Sequence, residues 1–196
     1  MKKVEVNTFP EAKREFLNFI EKTKRRLLIM SGELFSEVYG DPDVLNAFRS
    51  AIDRGVEISV ACGPEIDVNS IEIIKLAQVR LITLYHLRNR EPYHFRVSDA
   101  RHVFLETFHT PFKKDRRGSV FVYDTLTLGP EYEARFYKRI QEQNALQIYG
   151  EHVVSLQPYL VKPGETTIWS GKKIEIAIPA SLEERQGFIK MLLEGR

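Results

Sequence analysis

Four consecutive apolar side chains, Leu27-Leu28-Ile29-Met30, constrain this chain more than any other stretch. A strand with one wet face alternates apolar and polar residues. An unbroken short run between Arg26 and Ser31-Gly32 therefore predicts a strand buried on both faces, which needs helices above and below its sheet. The flanking sequence supplies them. Thr8-Phe9-Pro10-Glu11 opens a helix, with Thr8 as cap, Pro10 and Glu11 suited to the first turn, and Phe9, Ala12, Phe16, Phe19 and Ile20 in one apolar stripe. Lys22, Lys24, Arg25 and Arg26 close it, where positive charge suits a helix carboxyl end. Asp41-Pro42 starts a second helix with stripe Val44, Leu45, Phe48 and Ile52, and Gly55 stops it. Val56 to Cys62 is a second strand, Asn69 to Ala77 a short helix and Val79 to Tyr85 a third strand. Strand, helix, strand, helix, strand with short connections predicts right-handed crossovers and an α/β fold with a mixed, mainly parallel sheet flanked by helices.

The sheet becomes mixed through the next segment. Tyr93-His94-Phe95-Arg96-Val97-Ser98-Asp99 alternates with period two, so His94, Arg96 and Ser98 share one face, and Phe95 and Val97 the other. Asp99-Ala100-Arg101 has turn character, and His102 to Glu106 resumes as the second arm of a hairpin. This register is expected to place His94 and His102 on opposite faces. With no helical HxxxH pair either, no metal site is expected from His86, His94, His102 and His109. Beyond the hairpin lie a basic loop from His109 to Gly118, a strand at Ser119 to Tyr123 and a helix led by Gly129-Pro130-Glu131. From Ala145 the character changes to short β candidates, a hairpin containing Trp169 and a capping box, Ser181 to Glu184, that opens a last helix. The organisation expected is an α/β domain over 1–144 and a small β-rich C-terminal extension ending in a helix over 145–196.

Length and charge narrow the classes. A chain of 196 residues buries about 70% of its unfolded surface, enough for a core without disulfide or metal. The single cysteine, Cys62, excludes an internal disulfide, and no apolar run approaches the ~20 residues that span a bilayer, so a cytoplasmic protein is expected. A net charge of +2 does not argue for nucleic acid by itself; local patches must. There is no Walker loop, G-x-G-x-x-G or G-x-S-x-G, and no cofactor is expected.

The element order from Leu27 to Gln143, with the text around His94, resembles one repeat of the phospholipase D superfamily. That family's signature is H-x-K-x4-D followed by an apolar strand and Gly-Ser; its His is the nucleophile, its Lys binds phosphate oxygens and its Asp supports a His. Two registers are open, and both leave the motif degenerate. Aligning Asp99 and the following apolar strand with the family's Asp puts Pro92 in the His position and His94 in the Lys position, and this register fits the hydrophobic pattern better. Aligning His94-x-Arg96 with H-x-K keeps a nucleophile and a cation but puts Arg101 in the Asp position. In both, Glu106-Thr107 follows the strand, and a carboxylate there opposes an anionic substrate.

The resemblance implies His94, Arg96 and Asp99 as the catalytic set. In an open α/β sheet, ligands collect beyond the carboxyl ends of the parallel strands, which offer Ser31, Tyr85, His86, Arg88 and Arg90, with His109, Arg116 and Arg117 as further cations. The function expected is a phospholipase D-like protein that has lost hydrolysis and binds a phosphorylated or anionic ligand or nucleic acid as a binding or regulatory module. The alternative is a homodimeric phosphodiesterase or nuclease with His94 as nucleophile.

Overall fold

The computed structural model describes residues 1–32, 34, 36–64, 66–67, 71–106, 117–148 and 160–161. The expectations for His109 and Arg116, the Trp169 hairpin and the final helix lie outside the described residues. In chain order the elements are β1 (Lys2–Val6), α1 (Phe9–Lys22), β2 (Arg26–Met30), α2 (Ser36–Tyr39), α3 (Pro42–Asp53), β3 (Glu57–Cys62), β4 (Ile66–Asp67), α4 (Ile71–Gln78), β5 (Thr83–His86), β6 (Phe95–Ser98), β7 (His102–Leu105), β8 (Ser119–Tyr123), α5 (Leu128–Glu142), β9 (Leu146–Ile148) and β10 (Leu160–Val161).

Eight strands form one sheet in the order β1-β8-β7-β6-β2-β3-β5-β9, and β10 pairs with β4. The sheet is mixed, but the expectation that it is mainly parallel is corrected. Only β2–β3 and β3–β5 run parallel, while β1–β8, β8–β7, β7–β6, β6–β2 and β5–β9 are antiparallel. The two crossovers use α2, α3 and α4, the helices between β2 and the hairpin. Everything added after it enters by reversal, and β1, whose lysines and glutamate hide its strand character, closes one edge.

Leu27 and Ile29 enter one core with α1, α3 and α4, and Leu28 and Met30 enter the other with α5. The unbroken apolar run thus has the physical cause expected, helices on both faces. Thr8 Oγ1 accepts from Glu11 N–H at 3.4 Å while Glu11 Oε2 accepts from Thr8 N–H at 3.1 Å, a reciprocal cap that fixes where α1 begins. The third strand starts later than the sequence predicts, at Thr83, because Arg80 takes φ 61° in the turn leaving α4. Among the described residues no helix is long and apolar enough to cross a membrane.

Candidate functional site

β6 runs antiparallel to β2, so its first residues lie at the carboxyl end of the parallel strands, with Phe95 opposite Met30 and Arg96 opposite Ile29. His94, Arg96 and Ser98 share the α1 face, as the period-two reading requires. Ser98 Oγ accepts from Thr23 Oγ1 at 2.9 Å, and the Arg96 guanidinium lies between the rings of Phe16 and Phe104, 4.5 and 4.7 Å from their centroids. Arg96 is a buried cation, its side chain 8% exposed. Such a charge must be answered inside the protein. Glu106, 4% exposed, places Oε2 3.5 Å from Arg96 Nη1 and 3.8 Å from His94 Nδ1. Arg96 Nη2 donates to the Tyr39 hydroxyl at 3.3 Å. Burial alone would lower the Arg96 pKa, but Tyr39 and Glu106 raise it overall; burial raises the Tyr39 phenol.

His94 is fixed from two further sides. Its Nε2 lies 3.1 Å from the Glu91 carbonyl, an atom that can only accept, so Nε2 carries the proton. Gly32 packs so closely on the ring that a Cβ there would collide with Nε2. Glu91 itself is buried. Burial pushes its carboxyl up, although Arg139 Nε from α5 donates to it at 2.7 Å. A cavity of about 20 Å³ between α1, α2, α3 and the hairpin touches Arg96, Phe16, Phe104 and Glu106. Among the described residues Arg96 Nε has no hydrogen-bond partner, although it is buried.

Of the residues singled out in the sequence, the structure brings His94 and Arg96 together, with Ser31 reaching the Tyr39 hydroxyl behind them. Asp99 is not with them. It sits five residues along the strand from His94, about 17 Å at strand rise, in the turn at the opposite end of the sheet. There its two oxygens accept from the backbone N–H groups of Lys24, Arg25 and Arg26 at 2.8, 2.8 and 2.9 Å. Burial would raise its pKa, but those three donors lower it overall.

Tyr85 turns to the α5 face, its ring 6.3 Å from Phe136, and His86 is buried with Nε2 3.0 Å from the Pro64 carbonyl. Arg88 and Arg117 are exposed and Arg90 half-buried. The expectation that His94 and His102 face opposite ways is also corrected. His102 pairs with Ser98 and packs on Phe19 and Tyr123, on the His94 face but at the other end of the hairpin. Among the described residues no three His, Cys, Asp or Glu side chains gather to hold a metal ion.

Tyr39 escaped the sequence reading because nothing local marks it. Glu106 was legible: β7 continues the pairing until its N–H donates to the His94 carbonyl at 3.1 Å, opposite His94.

No protein-family model matches the sequence, and no curated protein does. Solved structures do. Nuc from Salmonella typhimurium, a phospholipase D family member, aligns at TM-score 0.58 and 19% identity over 76% of this chain and 100% of its own. The chain has a phospholipase D-like fold. NucT from Helicobacter pylori aligns at TM-score 0.55 and 14% identity, over 75% of this chain and 99% of that one. TrmBL2, an archaeal chromatin protein with a novel mode of DNA binding, aligns at 0.56 and 14% identity; the match covers 76% of this chain and 55% of TrmBL2.

Proposed function

We propose that this phospholipase D-like chain does not hydrolyse phosphodiesters and serves as a binding or regulatory module for an anionic partner, foremost a nucleic acid. The observation that carries the reading is Glu106. The cation that would have to meet the nonbridging oxygens of a phosphate, Arg96, already faces a buried carboxylate at 3.5 Å, so a phosphate entering there would meet like charge. His94 adds to the argument, because its protonated Nε2 is engaged by the Glu91 carbonyl and its other nitrogen faces the same Glu106. The lone pair left on Nδ1 faces the Glu106 carboxylate, so an anionic phosphate would meet like charge on its way to it. Asp99, at the far end of the strand, cannot hand a proton to either. DNA binding by the structural neighbour TrmBL2 supports a nucleic acid as the partner.

The test is hydrolysis of bis(p-nitrophenyl) phosphate and nicking of plasmid DNA by the purified chain. No turnover is expected beyond that of His94→Ala. Turnover that vanishes in His94→Ala would overturn the reading in favour of a nuclease or phosphodiesterase.

A further inference from the structure

With the carboxyl end of the sheet closed by its own ion pair, a polyanion has to meet the protein elsewhere. The opposite rim carries the charge for it. We infer that a nucleic-acid phosphodiester backbone docks along the rim where β2 begins and β6, β7 and β8 turn, held by Lys24 and Arg25 with Lys2 and Lys22 beside them. The inference rests on the nucleic-acid-binding reading above and assigns it a surface.

Pairing registers define the rim. Lys2 stands opposite Tyr123, His102 opposite Ser98, and Ser98 opposite Leu27, so five adjacent strands end on one line. Four strand spacings make it about 19 Å long. Duplex DNA carries a charge every ~1.7 Å of axis, so this length faces several phosphates on one side of a duplex.

Some of the charges along it are paired within the protein, and four are not in an ion pair among the described residues. Asp99 spends both carboxylate oxygens on the backbone N–H groups of Lys24, Arg25 and Arg26, which pins that segment to the hairpin turn and leaves its side chains outward. Arg26 is answered by Glu57 and Glu133, and Arg101 by Asp124. Lys24 and Arg25 are exposed, and among the described residues neither has a carboxylate within ion-pair distance; the same holds for Lys2 and Lys22. The Lys22 ammonium sits 4.8 Å from the centroid of the Tyr123 ring, which braces it at the end of α1. Glu21, on the last turn of α1, is the one exposed acid beside them on that helix end.

A nucleic acid fits this surface better than a bilayer does. Bilayer docking joins cations to an apolar face. Here the aromatic beneath Lys22 is 4% exposed, and Met1 and Leu126, 74% and 86% exposed, are two side chains rather than the apolar stripe of an amphipathic helix.

The test is fluorescence anisotropy of a short labelled duplex DNA titrated with the full chain across a salt series. Replacing Lys24 and Arg25 together by Ala removes two phosphate contacts, so the slope of log K against log salt should fall by about 1.8 and the affinity near 0.1 M salt by roughly 60-fold. Arg49→Ala with Lys75→Ala removes the same charge from the Glu72 cluster on another surface and should leave binding unchanged. Lys2→Glu with Lys22→Glu touches neither Asp99 nor Arg26 and should weaken binding as well, which guards against a local folding defect at Lys24. Equal losses in the rim and Glu72 variants would overturn the inference, as would tighter capture by phosphatidylserine vesicles than by DNA. If the loss instead followed Arg88→Ala with Arg90→Ala, the rim would be excluded while the nucleic-acid reading stood. Absence of any binding to DNA or RNA would sink both.

Discussion

Replacing Glu106 by alanine should reveal how the buried cluster is held. The substitution leaves the Arg96 guanidinium inside the protein with the Tyr39 hydroxyl at 3.3 Å and two ring faces, but without a counter-charge. Breaking a buried ion pair by removing one partner costs about 3 to 5 kcal/mol. The rings and the hydroxyl recover part of that, so a loss near 3 kcal/mol is expected. For a chain of this size such a loss lowers the melting temperature by about 6 to 12 °C. Arg96→Met should cost a similar amount, because it removes the guanidinium that answers Glu106, a carboxylate at 4% exposure. The double variant Arg96→Met with Glu106→Leu replaces charge by apolar volume between Phe16 and Phe104, and should recover to within about 1 kcal/mol of the parent. Urea unfolding of the four proteins gives the cycle, with a coupling of at least about 2 kcal/mol expected. A loss below about 1 kcal/mol in Glu106→Ala, or single losses that simply add, would refute the claim that the two groups answer one another.

Three further outcomes follow from other sites. Asp99→Ala strips three N–H groups of their acceptor and leaves alanine at φ 54°, so a loss of about 2 kcal/mol is expected in urea melts. The folded Asp99 pKa is lowered, so its contribution is present above the ordinary value of 3.8 and lost as pH falls below it; Asp99→Asn should flatten that acid limb. His86 behaves in the same sense at higher pH. Burial lowers its pKa below 6.5, so its contribution holds above 6.5 and fades as pH falls, and melting between pH 8 and 5 should show a shallower slope in His86→Gln, while an unchanged slope would exclude His86 as a source. Gly129→Ala should cost about 3 kcal/mol or more, since a Cβ there would collide with the backbone carbonyl of Ala100 in the hairpin turn; a melting temperature near that of the parent would show that α5 can shift.

Gly129 also marks where sequence reasoning stops. Read locally, it introduces a helix; in the fold its missing Cβ lets α5 lie on the turn between β6 and β7, a contact between segments some thirty residues apart. Asp99 teaches the same lesson more sharply. The family motif assigns it to the chemistry, but the strand's rise carries it to the far rim, where it binds Lys24 to Arg26.

Local patterns, meanwhile, were reliable. The run from Leu27 to Met30, the stripe and cap of α1 and the alternation of His94, Arg96 and Ser98 each state a burial preference that neighbouring residues are enough to express. The sequence alone therefore determined the elements with a clear apolar pattern, though not β1 or α2, the apolar face of each, and that helices cover both sides of β2. Strand order, the predominance of antiparallel ladders, and the meeting of Tyr39, Arg96 and Glu106 were decided by the tertiary structure. A buried charge selects its partner by distance in space, and that distance is set only when strands far apart in the chain have found their register.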